Sequence, residues 1–380
     1  MQGDPVTDAH RCRSCRSTDG EVVLDLGDQP ASDYFPPAAD PGPDPAYPLQ
    51  MWLCAACGLA QLLEDPTVPE EPRATEPAAL VEQAADAVGR VADAGWLPTG
   101  KRVTEYGSPH GGSWLDLLAG RGLTVVGDGS QAEVVLDCFG LMHSPDQAAA
   151  LAERAARVAP GGVLLLQYHS LGTIVRLGQW NSLRHGHYAY YSTAALGRML
   201  ASAGFAARQA WRFDLYGGTI LLAATRAEDG APGPDTSVTA LEAEEAALGV
   251  EDPARVRRLQ DSTVSRAEAL HRWLVDQRAG GARVLGYGAA SRAVALLCRA
   301  GVDRTLLPAV ADASPAKQGR RMPATDIPVV APGELVAARP DAVALFLPDL
   351  LPELRATLPE VEADGARWVD VEALGATPAT

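Results

Sequence analysis

Two C-x-x-C pairs, Cys12 with Cys15 in "CRSC" and Cys54 with Cys57 in "CAAC", constrain the first part of this chain more than any other feature. Each pair presents two thiolates from one tight turn, and two such knuckles satisfy one tetrahedral zinc ion. A redox dithiol needs only one C-x-x-C at a helix start, so the doubling selects metal over disulfide chemistry. Four thiolates leave no open ligand position, which makes the ion structural. His10 lies close and is not needed as a ligand. Residues 1–68 therefore read as a zinc module whose short strands flank the loop "FPPAADPGPDPAYP". The remaining cysteines, Cys138 and Cys298, sit in apolar surroundings and read as small core residues.

Downstream the hydrophobic period alternates. "EPAALVEQAADAVGRVADAGWL" reads as a helix, "RVTEYG" as a buried strand and "GGSWLDLLAGRG" as a helix stopped by glycine. "LTVV", "AEVVLDCFGL" and "VLLLQY" are further strands, with a helix over "SPDQAAALAERAARVAPGG". This alternation predicts a doubly wound α/β domain over 69–228. "AEDGAPGPDT" reads as a linker, and 237–380 as two helical stretches followed by a second α/β unit that opens with "ARVLGYGAASRAVALLCRAG". The net charge of −16 excludes a broad nucleic-acid surface. It leaves room for an anionic small ligand at a helix N-terminus. No apolar run approaches the ~20 residues of a membrane helix. The N-terminus lacks an apolar signal segment, so a cytoplasmic protein is expected.

Three stretches carry candidate chemistry. "TEYGSPHGG" places Glu105, Gly107 and Gly111 in an E-x-G-x-x-x-G turn between strand and helix, where backbone approaches a ligand closely. Such a turn embraces S-adenosylmethionine in methyltransferases, and Asp128, after the second strand, is placed to bond a ribose. "GYGAAS", with Gly286, Gly288 and Ser291, resembles a dinucleotide turn without its third glycine; alone it suits packing as well as binding. "NSLRHGHYAYYS" concentrates His185, His187, Tyr188, Tyr190 and Tyr191, although the chain has only 7 histidines. An imidazole titrates near neutral pH, as a proton-moving site requires.

With these residues in view, the chain resembles the zinc-containing sugar C-methyltransferases of deoxysugar pathways, which act on nucleotide-linked 4-keto sugars. "EYGSPHGG" is similar to their cofactor turn. "GYGAASRAVALL" and "DASPAKQGRRMPATDIPV" are similar to their C-terminal domain, "YGGTILLAA" to their H-G-G-S strand, and "RHGHYAYYS" to their Y-H-E-H-x-x-Y-F-S loop. The resemblance implies a zinc module, a Rossmann-like methyltransferase domain and a C-terminal Rossmann-like domain. It implies His187 as the base beside a ketone, His185 as a positioning neighbour, Tyr190 as a phenol donor or ring wall, and Arg184 as support for the enolate. It also implies a substrate diphosphate near Ser291 and Arg292, with Lys317 assisting or bracing the loop.

Four departures qualify it. Arg184 and Gly186 replace the loop's Tyr and Glu. The family's Y-x-Y-x-S-S segment is "ATEPAALVEQA" here, and its L-P-W-N is "LPDL" at Leu347–Leu350. Five residues separate Asp128 from Val134, where a helix and a third strand that flanks adenine would stand, so the cofactor domain is shortened. Two readings follow: a C-methyltransferase that uses S-adenosylmethionine, or a donor-free epimerase, isomerase or lyase in which His187 moves the proton.

Overall fold

A computed structural model describes residues 10–40, 42–67, 76–107, 112–127, 129–229 and 233–375. Three sheets organise it. In the first, β1 (Gly20–Pro30) pairs antiparallel with β2 (Ala46–Cys54), and β2 with β3 (Ala60–Leu62). Its fourth strand comes from far along the chain: β8 (Ala189–Tyr190), inside the histidine stretch, pairs with β3. The zinc module thus holds the candidate base loop directly.

The second sheet runs β5-β4-β6-β7-β10-β9. β4 (Arg102–Tyr106), β5 (Thr124–Val125), β6 (Ala132–Cys138) and β7 (Val158–His169) are mutually parallel. β10 (Thr219–Arg226) is antiparallel to both β7 and β9 (Phe205–Phe213). β5 is the edge, and only residues 126–131 link it to β6, too few for a helix and strand. The shortening expected from the sequence is therefore a missing layer at one edge of the sheet. Asp146 starts the helix Gln147–Arg157 by accepting the Ala149 N–H.

The third sheet is all parallel, in the order β13-β12-β11-β14-β15: β11 (Val284–Tyr287), β12 (Val310–Ala311), β13 (Val329–Val330), β14 (Ala342–Leu345) and β15 (Arg367–Asp370). Parallel strands buried on both faces need near-continuous apolar runs; "VLGY" and "AVAL" supply them, and all eight residues are buried. The helix Thr236–Leu248, read from sequence as part of the C-terminal connection, packs instead on β9 of the second sheet. The zinc module shares one core with the C-terminal unit: Leu24, Leu26 and Met51 pack in the same cluster as Leu270, Leu274, Val294 and Leu297. No helix among the described residues is long and apolar enough to cross a membrane.

Candidate active site

The four cysteine sulfurs lie within 4.8 Å of one another, with Cys12–Cys57 and Cys15–Cys54 at 3.6 Å. A tetrahedron with Zn–S arms of about 2.3 Å has edges of roughly 3.8 Å, so the donor set fits zinc. Both knuckles close alike. Arg16 and Gly58, each just after the second cysteine, adopt positive φ (65° and 70°). Each donates its N–H to the carbonyl of its first cysteine, at 3.1 and 2.9 Å. The Cys57 thiol donating to Cys12 holds Cys12 well below the usual thiol range, at about 4. Cys138 is buried in the second sheet's core, as its surroundings suggested.

A cavity of about 280 Å³ lies between the units built on the second and third sheets. His187 and Arg184 line it from the base loop, Gly288, Ser291 and Arg292 from the C-terminal turn, and Lys317 from the loop after β12. Arg184 donates from Nε and Nη2 to His187 Nε2 at 2.8 and 2.5 Å. Its Nη1 donates to both oxygens of Asp33, at 2.8 and 3.1 Å, and contacts the Ser291 hydroxyl. Because Nε2 accepts from a guanidinium, its lone pair is present and the ring proton belongs on Nδ1. The His143 ring stands perpendicular to His187, 4.6 Å away.

The neighbours of His187 fare differently. His185 points into the zinc module, where its Nε2 meets the Pro48 carbonyl at 3.1 Å, and burial lowers its basicity; it does not line the cavity. Tyr190 is also outside the cavity. Its hydroxyl accepts the Arg184 N–H at 3.1 Å and donates to the Ser182 carbonyl at 3.3 Å, so it braces the loop rather than walling the ligand. Gly286 is a packing glycine, since a Cβ there would stand 2.9 Å from Phe346 and Val310. Gly288, at φ +96°, is the residue of that turn whose conformation favours glycine.

Two bulky residues of the cavity wall, Phe139 and Tyr216, hold φ of 64° and 57°, and their rings are 6.2 Å apart. Left-handed backbone at aromatic residues costs about 1–3 kcal/mol each and concentrates at functional sites. Asp349, from the departing "LPDL", fixes this turn by accepting the Tyr216 N–H at 2.8 Å; burial raises its pKa. His169, another wall residue, is buried, which pushes its pKa down to about 3 and keeps the ring neutral. Sequence reasoning singled out neither Asp349 nor His169 for the site, and no motif flagged Asp33.

Of the cofactor turn, Gly111 and Asp128 lie outside the described residues. Glu105, near the end of β4, accepts from the Trp114 N–H (3.0 Å) and the Ser113 hydroxyl (2.5 Å), so it ties the strand to the next helix; burial raises its pKa. Among the described residues nothing stands within 4 Å of a hypothetical Cβ on Gly107. The resemblance to methyltransferases would put the amino-acid end of S-adenosylmethionine along this turn. At the adenine end, β5 is the sheet edge and Val125 is 44% exposed. Calorimetric titration with S-adenosylmethionine is expected to give weak binding, with Kd on the order of 10 µM or above, because an uncovered adenine loses burial and paired edges. A submicromolar Kd would show that another element encloses it.

Comparison with known proteins places this arrangement. The sequence family described as a C-methyltransferase C-terminal domain matches residues 214–371, a methyltransferase domain matches 76–210, and a zinc binding domain matches 12–71. The three tile nearly the whole chain in the order that the sheets show. The chain belongs to the zinc-containing C-methyltransferases. It is 26% identical to the C-methyltransferase NovU of Streptomyces niveus over 96% of each protein. Among solved structures, it is similar to the magnesium protoporphyrin IX methyltransferase of Synechocystis PCC 6803 (17% identity, 40% of this chain and 84% of that one, TM-score 0.30). It is also similar to the N-methyltransferase NodS of Bradyrhizobium japonicum (12% identity, 40% and 90%, TM-score 0.31). As a member of this family the protein is a methyltransferase, with zinc as its structural ion and S-adenosylmethionine as methyl donor. Family membership decides against the donor-free reading.

Proposed function

We propose that the enzyme methylates the carbon beside the ketone of a nucleotide-linked keto sugar, with His187 Nε2 as the base. The observation that carries this reading is the pairing of Arg184 with His187 Nε2 in the wall of the cavity. Removing a proton from such a carbon needs a base in reach and donors for the enolate oxygen. Both are present in one contact. A ketone oxygen that enters the cavity competes for the Nε and Nη2 donors of Arg184. As those bonds move to the substrate, His187 Nε2 is released to accept the proton, and the guanidinium remains on the oxygen where charge develops. S-adenosylmethionine, when bound, supplies the electrophilic methyl group for the carbanionic carbon. Mixing substrate with enzyme in deuterium oxide without donor tests the base step alone, since the proton beside the ketone should exchange.

The nucleotide end is supported by the turn at Gly288 and the helix Ser291–Arg299, whose N-terminal N–H groups favour negative charge. Arg292 lies there, although Glu372 at 3.3 Å already balances part of its charge, and Lys317 donates to the Ala289 carbonyl at 2.8 Å. A diphosphate here would rely on backbone donors and on the Lys317 ammonium, whose charge the Ala289 carbonyl does not neutralise. Gly288→Asp is expected to weaken thymidine diphosphate binding at least tenfold by calorimetry, through a strained backbone and a like charge. Unchanged affinity in this variant would remove the diphosphate from this turn.

A further inference from the structure

We propose that Asp33, a residue of the zinc module, is a positioning residue of the active site: it anchors Arg184, and Arg184 fixes the imidazole of His187. A guanidinium is a rigid planar fork, so pinning one arm sets the direction of the others. Here Nη1 is committed to Asp33, through both carboxylate oxygens, and to the Ser291 hydroxyl, which also donates to Asp33. The opposite edge, Nε and Nη2, then points at His187 Nε2. The Arg184 side chain is only 9% exposed and that of Asp33 20%, so the ion pair is shielded from solvent. An unbalanced cation at that depth is costly, and Asp33 removes the cost.

The arrangement joins three parts of the molecule. Asp33 lies just beyond β1, Arg184 and His187 on the base loop, and Ser291 at the start of the helix Ser291–Arg299. The zinc module makes a second contact with the same loop, because Asp65 accepts the Gly186 N–H at 2.7 Å. Gly186 leaves no carboxylate on the loop itself to orient the base; Asp33 supplies one from another domain, acting through an arginine. The zinc site therefore reaches the chemistry through a side chain as well as through the fold.

This inference deepens the reading of His187 as base, and its primary test does not depend on turnover. The groups that face the imidazole are Arg184 and Asp33, His143 from the turn Leu141–His143, Tyr190 on β8 with its ring 6.3 Å away, and Asp65 through the loop backbone. In zinc-loaded, full-length protein with 15N-labelled histidine, the His187 signals are assigned from their loss in His187→Asn. The wild type should show a neutral ring with the proton on Nδ1. Asp33→Ala should lose that single tautomer and shift the His187 titration midpoint by at least about half a pH unit. Asp33→Glu should restore the wild-type pattern. Asp33→Asn, close in shape, carries the same test if the alanine variant loses its zinc. A His187 spectrum and titration like those of wild type in both Asp33→Ala and Asp33→Asn would overturn the proposal.

A second arm reads deuterium exchange beside the ketone of a thymidine diphosphate-linked 4-keto-6-deoxy sugar. Exchange should fall about tenfold or more in Asp33→Ala, less than the ~10²–10⁴ that a general base contributes, and recover in Asp33→Glu. If Asp33 alters the His187 spectrum but His187→Asn exchanges at the wild-type rate, the anchor stands and the base reading fails.

Discussion

Cys54→Ser is expected to abolish zinc binding and to unfold the N-terminal sheet with it. Four thiolates around zinc contribute about 10–16 kcal/mol of apparent folding free energy in small zinc domains, comparable to the 5–15 kcal/mol that a whole domain commonly has. Cys54 ends β2, a strand paired on both sides in that sheet, and its knuckle turns the chain into β3. Losing the ion frees both hairpin edges together. The damage should spread, because the core of β1 and β2 is continuous with that of the C-terminal unit. Elemental analysis of wild type purified without added metal should give about one zinc per chain, and the variant close to none. Calorimetry should show the variant's transition lowered and broadened. Metal-free wild type with an intact N-terminal module would refute a structural zinc.

Much of this architecture was legible in the sequence where one local rule sufficed. The paired knuckles, the helix that follows "SPD", the strand and turn of "ARVLGYGAAS" and the short interval between β5 and β6 each depend on residues close in the chain. The candidate site was less legible, for two physical reasons. First, its supporting groups arrive by tertiary contact: Asp33 is 151 positions from Arg184, and Asp65 121 from Gly186. No pattern in a single sequence links such pairs. Secondly, His185 and His187 have the i, i+2 spacing that puts two side chains on one face of a strand. Gly186, at φ +82°, turns the chain between them, so one ring enters the cavity and the other the zinc module. Tyr190, three residues after His187, is carried into the core by the strand β8. The packing of the helix Thr236–Leu248 on β9 was not legible either, because sequence adjacency to the C-terminal unit says nothing about which sheet buries its apolar residues.

His187→Asn is expected to lower methyl transfer by on the order of a hundredfold or more while substrate still binds, because it removes the proton acceptor and keeps the side chain's bulk and polarity. The imidazole must be neutral to act, so wild-type activity should rise as pH climbs through the imidazole range; protonated at lower pH, the ring has no lone pair to offer. Arg184 acts in the same direction, since a guanidinium donating to Nε2 disfavours a second positive charge there. His185→Asn should cost far less activity, because that ring bonds the Pro48 carbonyl outside the cavity. Arg184→Lys separates the two roles of the arginine. A lysine keeps the charge but cannot hold Asp33 and His187 in one plane, so exchange and methylation should both fall even though the base is intact. Deuterium exchange beside the substrate ketone isolates the proton step and needs no methyl donor. Exchange at the wild-type rate in His187→Asn would place the base elsewhere, with His143, whose ring stands 4.6 Å from His187, as the next residue to replace.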